Sequence, residues 1–399
     1  MNPTSPDETL ATHDGPAAAV DLSPNPTRPS RPQSAPTPAR AGESDEERLV
    51  LAANRIFHDL EGAAYEAKHD EIFIAETARW QRVAGTWLAG RTTPRRVLDI
   101  GTGTGFVPNT IAPFLSVDDE IVCTDLSRSM LAVAKERLQR GEHICRFSFE
   151  EIDGRRYPFP SKSFHAITGN SVVHHIPDLA GFFAEIDRML VPGGFVMIGH
   201  EPNAAHYREN ALRRRAALYS KLADPLAGAI AVGKAMRLDR LARSLGVHAR
   251  LRRAALEARG EGLAEQVEDS AHRLDEVGAR MVDEGLVSTP PSRETIAAWI
   301  DVHSPTAGAE VDPDRGIEID RIRDEWLPGY ELAQFESYDH LDGPGHGRGG
   351  CGRAGRALAA HFDRSLAERF PGAGATFFAV LRKPESAEIV EEPHARERN

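Results

Sequence analysis

Short apolar runs alternate with helical patterns through the middle of the chain. Runs rich in β-branched and aromatic residues predict strands at Arg96–Ile100, Glu120–Thr124, Ile144–Phe149, Phe164–Gly169 and Phe195–Gly199. Between them, apolar residues recur at spacings of three and four, which predicts helices at Val107–Leu115, Ser129–Gln139 and Leu179–Leu190. This alternation is typical of an α/β fold built on a doubly wound, mostly parallel sheet.

The flanking regions extend this pattern on both sides. Residues Glu46 to Leu88 have a helical pattern and precede the first predicted strand. Two late runs, Tyr330–Asp339 and Ala375–Arg382, predict strands joined through a helix near Arg356–Arg369. With the five central runs, they predict a Rossmann-like sheet of seven strands.

The region between the fifth and sixth predicted strands has a different texture. From Ala204 to about Ile300 it is rich in Ala, Leu, Arg and Glu and has no strand-like run. Apolar residues on one face predict a long helix or helical hairpin: Leu256, Leu263, Val267, Leu274 and Val277. Glycines within it predict breaks or bends: Gly260, Gly262 and Gly278. Two interpretations of this insertion are open, a lid over the substrate or the surface of a homodimer.

The chain is therefore predicted to divide into five parts. They are a Pro-rich disordered tail (1–45), a core with N-terminal helices (46–202), the helical insertion (203–315), the strands that complete the sheet (316–385) and a flexible tail (386–399).

Composition narrows the class of partner. The 399 residues carry a net charge of −12, which argues against general affinity for nucleic acid or an anionic membrane. No run of about 18 apolar residues predicts a membrane span, and the acidic N-terminus does not resemble a secretory signal. Three cysteines without paired spacing suit a reducing cytoplasm and predict neither a disulfide framework nor a metal site.

The stretch VLDIGTGTG (97–105) joins the first predicted strand to a helix. Gly101, Gly103 and Gly105 allow positive φ and let backbone N–H groups approach a ligand closely, as nucleotide-like ligands require. A tight strand-to-helix connection without a ligand is the alternative interpretation.

Acidic residues follow the next two strands. Asp125 ends the second strand, where a carboxylate can accept both hydroxyls of a ribose, although it could instead cap the following helix. Asp153, beside Gly154, could accept a hydrogen bond from an adenine amino group. Leu126 and Met130 could pack against the ring, or simply pack in the core.

Taken in order, these motifs resemble those of the class I S-adenosylmethionine-dependent methyltransferases, in particular the small-molecule group that includes ubiquinone/menaquinone-biosynthesis C-methyltransferases. The matching stretches are VLDIGTGTG (97–105), VCTDLSRSML (122–131), the stretch from Asp153 to Phe164, NSVVHHIPD (170–178) and LVPGGFVMIGHEPN (190–203). The resemblance covers Leu60 to Asn203 well and the late strands more loosely. It implies S-adenosyl-L-methionine as cofactor and a small-molecule methyl acceptor, such as a quinone, phenol, polyketide or amino-sugar-like metabolite.

The resemblance also implies roles for individual residues. The methionine part of the cofactor would be held by Asp99, Gly101, Thr102, Gly103 and Gly105. Asp125 would bind the ribose, and Asp153 and Gly154 the adenine. Asn170 would lie beside the sulfonium, and Tyr65 would fold over the cofactor. His165 and Ile152 depart from the family pattern at positions without key contacts.

Two other functions fit the same fold. A nicotinamide-dependent oxidoreductase would carry G-x-G-x-x-G, but Phe106 occupies the sixth position here. A methyltransferase-like binding module without catalysis would show loss of the glycines or of Asp125, and neither is lost.

Candidate catalytic groups follow the fourth and fifth strands, at the edge where ligands bind in open α/β sheets. His174 and His175 follow the fourth, and His200 and Glu201 the fifth. A base is needed only if the acceptor is protonated. Packing and backbone hydrogen bonding are the alternative role for each.

Overall fold

The computed structural model describes residues 44–62, 65–89, 94–218, 270–305, 312, 314–341 and 352–385, and within these ranges not the side chains of 65–75 and 352–358. The predicted tails, apart from residues 44 and 45, lie outside the described residues. The same holds for Leu256, Gly260, Gly262, Leu263 and Val267 of the insertion.

Within the described residues, seven strands form one sheet in the spatial order β3-β2-β1-β4-β5-β7-β6. Their bounds are β1 (Arg96–Ile100), β2 (Glu120–Asp125), β3 (Arg146–Glu151), β4 (Phe164–Asn170), β5 (Leu190–Pro202), β6 (Glu331–Tyr338) and β7 (Thr376–Arg382). Strands β1 to β5 pair in parallel, and β7 runs antiparallel to both β5 and β6. The predicted α/β fold with a mostly parallel seven-stranded sheet is confirmed.

Helices cover both faces of this sheet. They are α1 (Asp45–Glu61), α2 (Tyr65–Trp87), α3 (Phe106–Ile111), α4 (Arg128–Arg140), α5 (Leu179–Met189), α6 (Ala204–Arg208), α7 (Arg293–Ile300), α8 (Ile319–Arg321) and α9 (Gly352–Arg369). Residues 210–218 and 270–283 are also helical. Adjacent residues of β1 face opposite layers, since Val97 packs with α2, α3 and α4 while Leu98 packs with α5. This two-sided burial makes the central strands apolar along their length.

Two details of the prediction were wrong. Strand β3 begins at Arg146 rather than Ile144, because Arg146 pairs with Glu120 in the parallel register and Ile144 is left 64% exposed. The helix 270–283 continues through Gly278 rather than breaking there. A Cβ at Gly278 would lie 3.1 Å from Ile296 Cδ1, so the glycine permits close approach to α7.

Helices from two distant parts of the sequence form a cap beside the carboxyl edge of the sheet. We define the cap as α1, the helix 270–283 and α7. Its interior is a separate apolar cluster built from the buried residues Ala53, Ile56, Val277, Met281, Ile296 and Ile300. The capping box between Ser44 and Glu47 fixes the start of α1. Residues 270–283 and 293–300 of the insertion are thus packed against the N-terminal helix.

Candidate functional site

A pocket opens at the carboxyl ends of β1, β2 and β4. It is lined by residues of the strand-to-helix turns and of α1: Leu51, Asn54, His58, Ile100, Gly101, Thr102, Gly103, Thr104, Phe106, Val107, Asp125, Leu126, Met130, Ile152, Gly154, Tyr157, Asn170, Ser171, Val172, His175 and Ile176. Most of this lining is apolar, with a small number of polar groups, as is usual for small-molecule sites.

The glycine turn between β1 and α3 forms one wall of the pocket. Gly101 and Gly103 have φ of +63° and +54°, which residues with a side chain rarely adopt. A Cβ at Gly101 would lie 2.5 Å from Val172 Cγ2, whereas a Cβ at Gly103 would meet nothing within 4 Å. Gly101 therefore permits close packing, and Gly103 leaves backbone open to a ligand.

Asp125 ties this turn to the end of β2. Its Oδ2 accepts a hydrogen bond from the Gly103 N–H at 2.8 Å, and its Oδ1 accepts one from the Ser127 N–H at 2.8 Å. Burial raises the pKa of the Asp125 carboxyl to about 6. The carboxylate keeps further lone pairs for ligand hydroxyls. Ser127, and not Asp125, caps α4 through the Met130 N–H.

Asp99 lies behind the turn and not on the pocket wall. Its carboxylate accepts hydrogen bonds from Thr102 Oγ1 at 2.8 Å and from Thr168 Oγ1 at 2.6 Å. Burial raises the pKa of Asp99 to about 7, against the opposing effect of these two bonds. The side chain is 1% exposed, so it braces the turn from the interior.

Asn170 presents donors to the pocket. The Trp80 indole N–H donates to Asn170 Oδ1 at 2.8 Å. Because the indole is only a donor, this bond fixes the amide orientation and leaves the Asn170 NH₂ group for other partners. Ser171 follows in a left-handed conformation, with φ of +57°. This strained residue turns the chain toward the pocket.

The opposite end of the pocket is apolar. Leu126, Met130 and Gly154 line it together with Tyr157. Tyr157 is 3% exposed, and its hydroxyl has no hydrogen-bond partner within the described ranges. Asp153 instead accepts hydrogen bonds from the Arg155 and Arg156 N–H groups and does not line the pocket.

Glu201 holds the turn that follows β4. Its buried carboxylate accepts hydrogen bonds from the Val172, Val173 and His174 N–H groups and from His174 Nδ1 at 2.8 Å. Burial alone would raise the pKa of Glu201, but His174 and the backbone donors lower it below its ordinary value. In turn, Glu201 raises the pKa of His174 against the effect of burial. Glu201 and His174 thus act as a hydrogen-bonded brace.

His175 is the predicted catalytic residue that faces the pocket. Its Nδ1 donates to the Ile300 carbonyl at 2.6 Å, which links the core to the cap. Burial and the neighbouring His174 lower the pKa of His175 to about 4, so the ring is neutral at pH 7. His58 of α1 makes an edge-on ring contact with it, with centroids 5.5 Å apart.

One group of residues has spacing that could suit a cation. Single ligand atoms of His174, His175 and Asp301 lie within 4.8 Å of one another. However, His174 Nδ1 is bonded to Glu201 and His175 Nδ1 to Ile300. We therefore interpret this group as a link between the turn and the cap.

The structure places the predicted residues in two groups. Those on the pocket wall are Gly101, Thr102, Gly103, Asp125, Leu126, Met130, Gly154, Asn170 and His175. Those off the wall are Asp99, Gly105, Asp153, His174 and Glu201. Tyr65 begins α2, and its side chain lies outside the described residues.

The wall residues that α1 contributes were not predicted from the sequence, namely Leu51, Asn54 and His58. Their spacing of three and four places them on one face of α1. The spacing was visible, but nothing local in the sequence indicates that this face meets the pocket.

Among the described residues, no helix combines the length and apolar character needed to cross a membrane.

Comparison with known proteins gives a family for the central segment. Residues 98–198 match the family described as "Methyltransferase domain". The chain is 27% identical over 147 residues to the ubiquinone/menaquinone biosynthesis C-methyltransferase UbiE of Coxiella burnetii, covering 36% of this chain and 58% of that protein. It is 30% identical over 135 residues to the demethylmenaquinone methyltransferase of Tropheryma whipplei, covering 34% and 53%.

Among solved structures, the chain is similar to phosphoethanolamine N-methyltransferase 2 of Haemonchus contortus in complex with S-adenosyl-L-methionine. The identity is 29%, the coverage is 32% of this chain and 29% of that chain, and the TM-score is 0.28.

The family match confirms the predicted resemblance for residues 98–198, and with it the enzyme class and the cofactor that the resemblance implies for this segment. The chain spans about half the length of the curated relatives it matches. Their reactions are therefore not assigned to the whole of this chain by similarity alone.

Proposed function

We propose that this chain, whose residues 98–198 match the methyltransferase domain family, transfers a methyl group from S-adenosylmethionine to a small-molecule acceptor. The observation that carries the proposal is the convergence of the glycine turn, Asp125 and Asn170 on one pocket at the carboxyl edge of a mostly parallel sheet. That edge is where open α/β sheets bind nucleotide-like ligands.

In this proposal the two ends of the pocket bind different parts of the cofactor. The backbone of Gly101 and Gly103 and the Asn170 NH₂ group bind the methionine part. Asp125 accepts hydrogen bonds from the ribose hydroxyls, and the apolar end with Leu126 and Met130 packs against the base. Support comes from the donors and acceptors that each wall presents to the pocket.

The cofactor supplies a methyl group on a sulfonium, with the leaving group already attached. The chain has to align the acceptor with that methyl and exclude water, which lowers the barrier of the direct displacement without a covalent intermediate on the protein. We assign His175 to contact with the acceptor, because it lines the pocket. His174 and Glu201 act as positioning residues that hold the turn carrying His175.

The insertion is proposed to act as a lid. Its support is the packing of the helix 270–283 and α7 against α1, which lines the pocket. A quinone-type acceptor is the first class to test, because one curated relative is named for ubiquinone/menaquinone biosynthesis and the other for demethylmenaquinone.

The test combines cofactor binding with methyl transfer. Calorimetric titration with S-adenosylmethionine should show one site, and Asp125→Ala should weaken binding by about 1.5 to 3 kcal/mol, since it removes charge-assisted hydrogen bonds. Asp118→Ala, an exposed control at the opposite edge of the sheet, should not change the affinity. Methyl-labelled cofactor should then label a reduced naphthoquinone or a component of a metabolite extract.

Two results would contradict the proposal. Equal affinity of the Asp125→Ala variant and the wild type would remove Asp125 from the site. Tight binding without transfer to any acceptor would favour the binding-module alternative.

A further inference from the structure

The last two carbonyl groups of α7 accept hydrogen bonds from two side chains of the pocket wall. The Trp299 carbonyl accepts from Asn54 Nδ2 at 2.9 Å, and the Ile300 carbonyl accepts from His175 Nδ1 at 2.6 Å. Helix C-terminal carbonyls lack partners within their own helix, so they bind donors strongly. The end of α7 thereby fixes the orientation of both side chains, which line the pocket.

These bonds fix the orientation of the Asn54 amide. Its Nδ2 donates both to the Trp299 carbonyl and to the Val50 carbonyl at 3.0 Å, so both amide hydrogens are used. The amide cannot be flipped, because its oxygen would then face two acceptors. Asn54 is 1% exposed, and its Oδ1 has no partner within the described ranges. A buried acceptor of this kind is costly unless a ligand supplies a donor.

For His175 the same logic fixes the tautomer. A carbonyl can only accept, so His175 Nδ1 carries the proton and Nε2 carries the lone pair. Burial and His174 hold the pKa of His175 at about 4, which keeps this acceptor neutral at pH 7. His58, one turn beyond Asn54 on α1, contacts the His175 ring and places the two acceptors on neighbouring parts of the wall.

We propose that Asn54 and His175 form a hydrogen-bond-accepting wall, set by the end of α7, that selects a methyl acceptor carrying a neutral hydroxyl or un-ionised amine and rejects carboxylates. This inference rests on the proposed function, since it assigns the acceptor side of the same pocket.

The surroundings of the wall favour a neutral, partly apolar ligand. Ile176, which follows His175 in the chain, lines the pocket beside it and provides apolar surface. The Asp301 carboxylate lies 3.6 Å from His175 Nδ1 and would repel an anion at this position. The neighbouring His174 imidazole is already paired with Glu201 through its Nδ1. A ligand carboxylate would therefore lose its hydration without gaining a donor.

The experiment uses three probes with one ring system: 2-naphthol, 2-methoxynaphthalene and 2-naphthoate. Their affinities for the full chain saturated with S-adenosylhomocysteine are measured by ligand-observed NMR. We expect the wild type to bind 2-naphthol about tenfold more tightly than either other probe, which is the size of one hydrogen bond to a buried acceptor. Asn54→Leu, which is similar in size and lacks the acceptor, should reduce this preference to about twofold or less.

Two further variants complete the test. Asn109→Leu removes an amide outside the pocket, bonded to His143, and should keep the wild-type preference. His175→Phe keeps a ring but lacks the acceptor, and should also reduce the preference for 2-naphthol. This variant carries the test if Asn54→Leu fails to fold. Titration with S-adenosylhomocysteine reports folding of each variant.

The outcomes separate the two proposals. Absence of S-adenosylhomocysteine binding by the wild type would overturn the proposed function. Normal cofactor binding with equal affinity for the three probes, or with a naphthol preference that survives both Asn54→Leu and His175→Phe, would overturn the accepting wall alone.

Discussion

The floor and the cap of the pocket are built in different ways. The floor, which we define as Gly101, Gly103, Asp125, Gly154 and Asn170, comes from one segment of about 70 residues in which each turn follows a parallel strand. The cap joins α1 to α7, and its hydrogen bond from Asn54 to Trp299 spans 245 residues. Backbone geometry specifies the floor locally, whereas side-chain packing specifies the cap at long range. We infer that the floor determines the cofactor and the cap determines the acceptor.

The largest expected effect is a break in the floor at Gly101. Gly101→Ala places a Cβ 2.5 Å from Val172 Cγ2 at a φ of +63°. Left-handed strain and overpacking together should lower the free energy of unfolding by about 2 to 5 kcal/mol. Gly103→Ala is the matched control, since its φ is +54° but its Cβ would meet nothing within 4 Å. It should cost only the strain, about 1 to 2 kcal/mol. Urea denaturation of both variants measures the difference, and equal losses would refute the packing role of Gly101.

A substitution in the interior of the cap should cost nearly as much stability but should leave the floor intact. Ile56 is fully buried in the cap cluster. Ile56→Ala should destabilise the cap by about 2 to 4 kcal/mol through the lost contacts and the cavity. Hydrogen exchange should increase in α1 and α7 and remain slow in β1 and β4. Uniform acceleration across the sheet would show that cap and floor unfold as one unit.

His175, which is hydrogen-bonded to Ile300 of the cap, should make the stability of the protein depend on pH. The folded pKa of His175, about 4, lies below its ordinary value of 6.5, so the unfolded chain takes up the proton first as the pH falls. Stability contributed by neutral His175 is present above pH 6.5 and is lost as the pH falls toward 4, by up to about 1.4 kcal/mol per pH unit. His175→Gln should flatten the profile in this window.

Asp99 and Asp125 change the stability with pH in the opposite direction to His175. Burial raises their pKa values to about 7 and about 6, so the stability they contribute is present at low pH and is lost as the pH rises through these values. Comparison of variant and wild type across the same pH range reports the contribution of His175, including its lowering of the pKa of the neighbouring His58. An unchanged slope would contradict its neutral, buried state.

The smallest expected effect tests the orientation of Asn170. Trp80→Phe keeps most of the buried ring but removes the N–H that holds Asn170 Oδ1. Cofactor affinity should fall by about 1 kcal/mol, since the Asn170 amide becomes free to rotate. Calorimetry measures the change. Trp87→Phe, which removes a similar indole bond to Gln334 away from the pocket, should leave the affinity unchanged.

The floor and the fold could largely be predicted from the sequence. Alternate glycines after an apolar strand require positive φ, and Asp125 follows the next strand, so local rules place both at the same edge. Placement of Asp99 and Asp153 required the structure, because an acid after a strand can either face a ligand or bond to the chain itself. Asn54 could not be found, since its role depends on a carbonyl of α7, and no local pattern relates the two helices.

Binding of S-adenosylhomocysteine by the wild type, Asp125→Ala and Asn54→Leu, measured in one buffer, tests the division between floor and cap most directly. We predict that Asp125→Ala weakens binding by roughly 10- to 100-fold and that Asn54→Leu changes it by less than about threefold. Equal losses in both variants, or no binding by the wild type, would contradict the account.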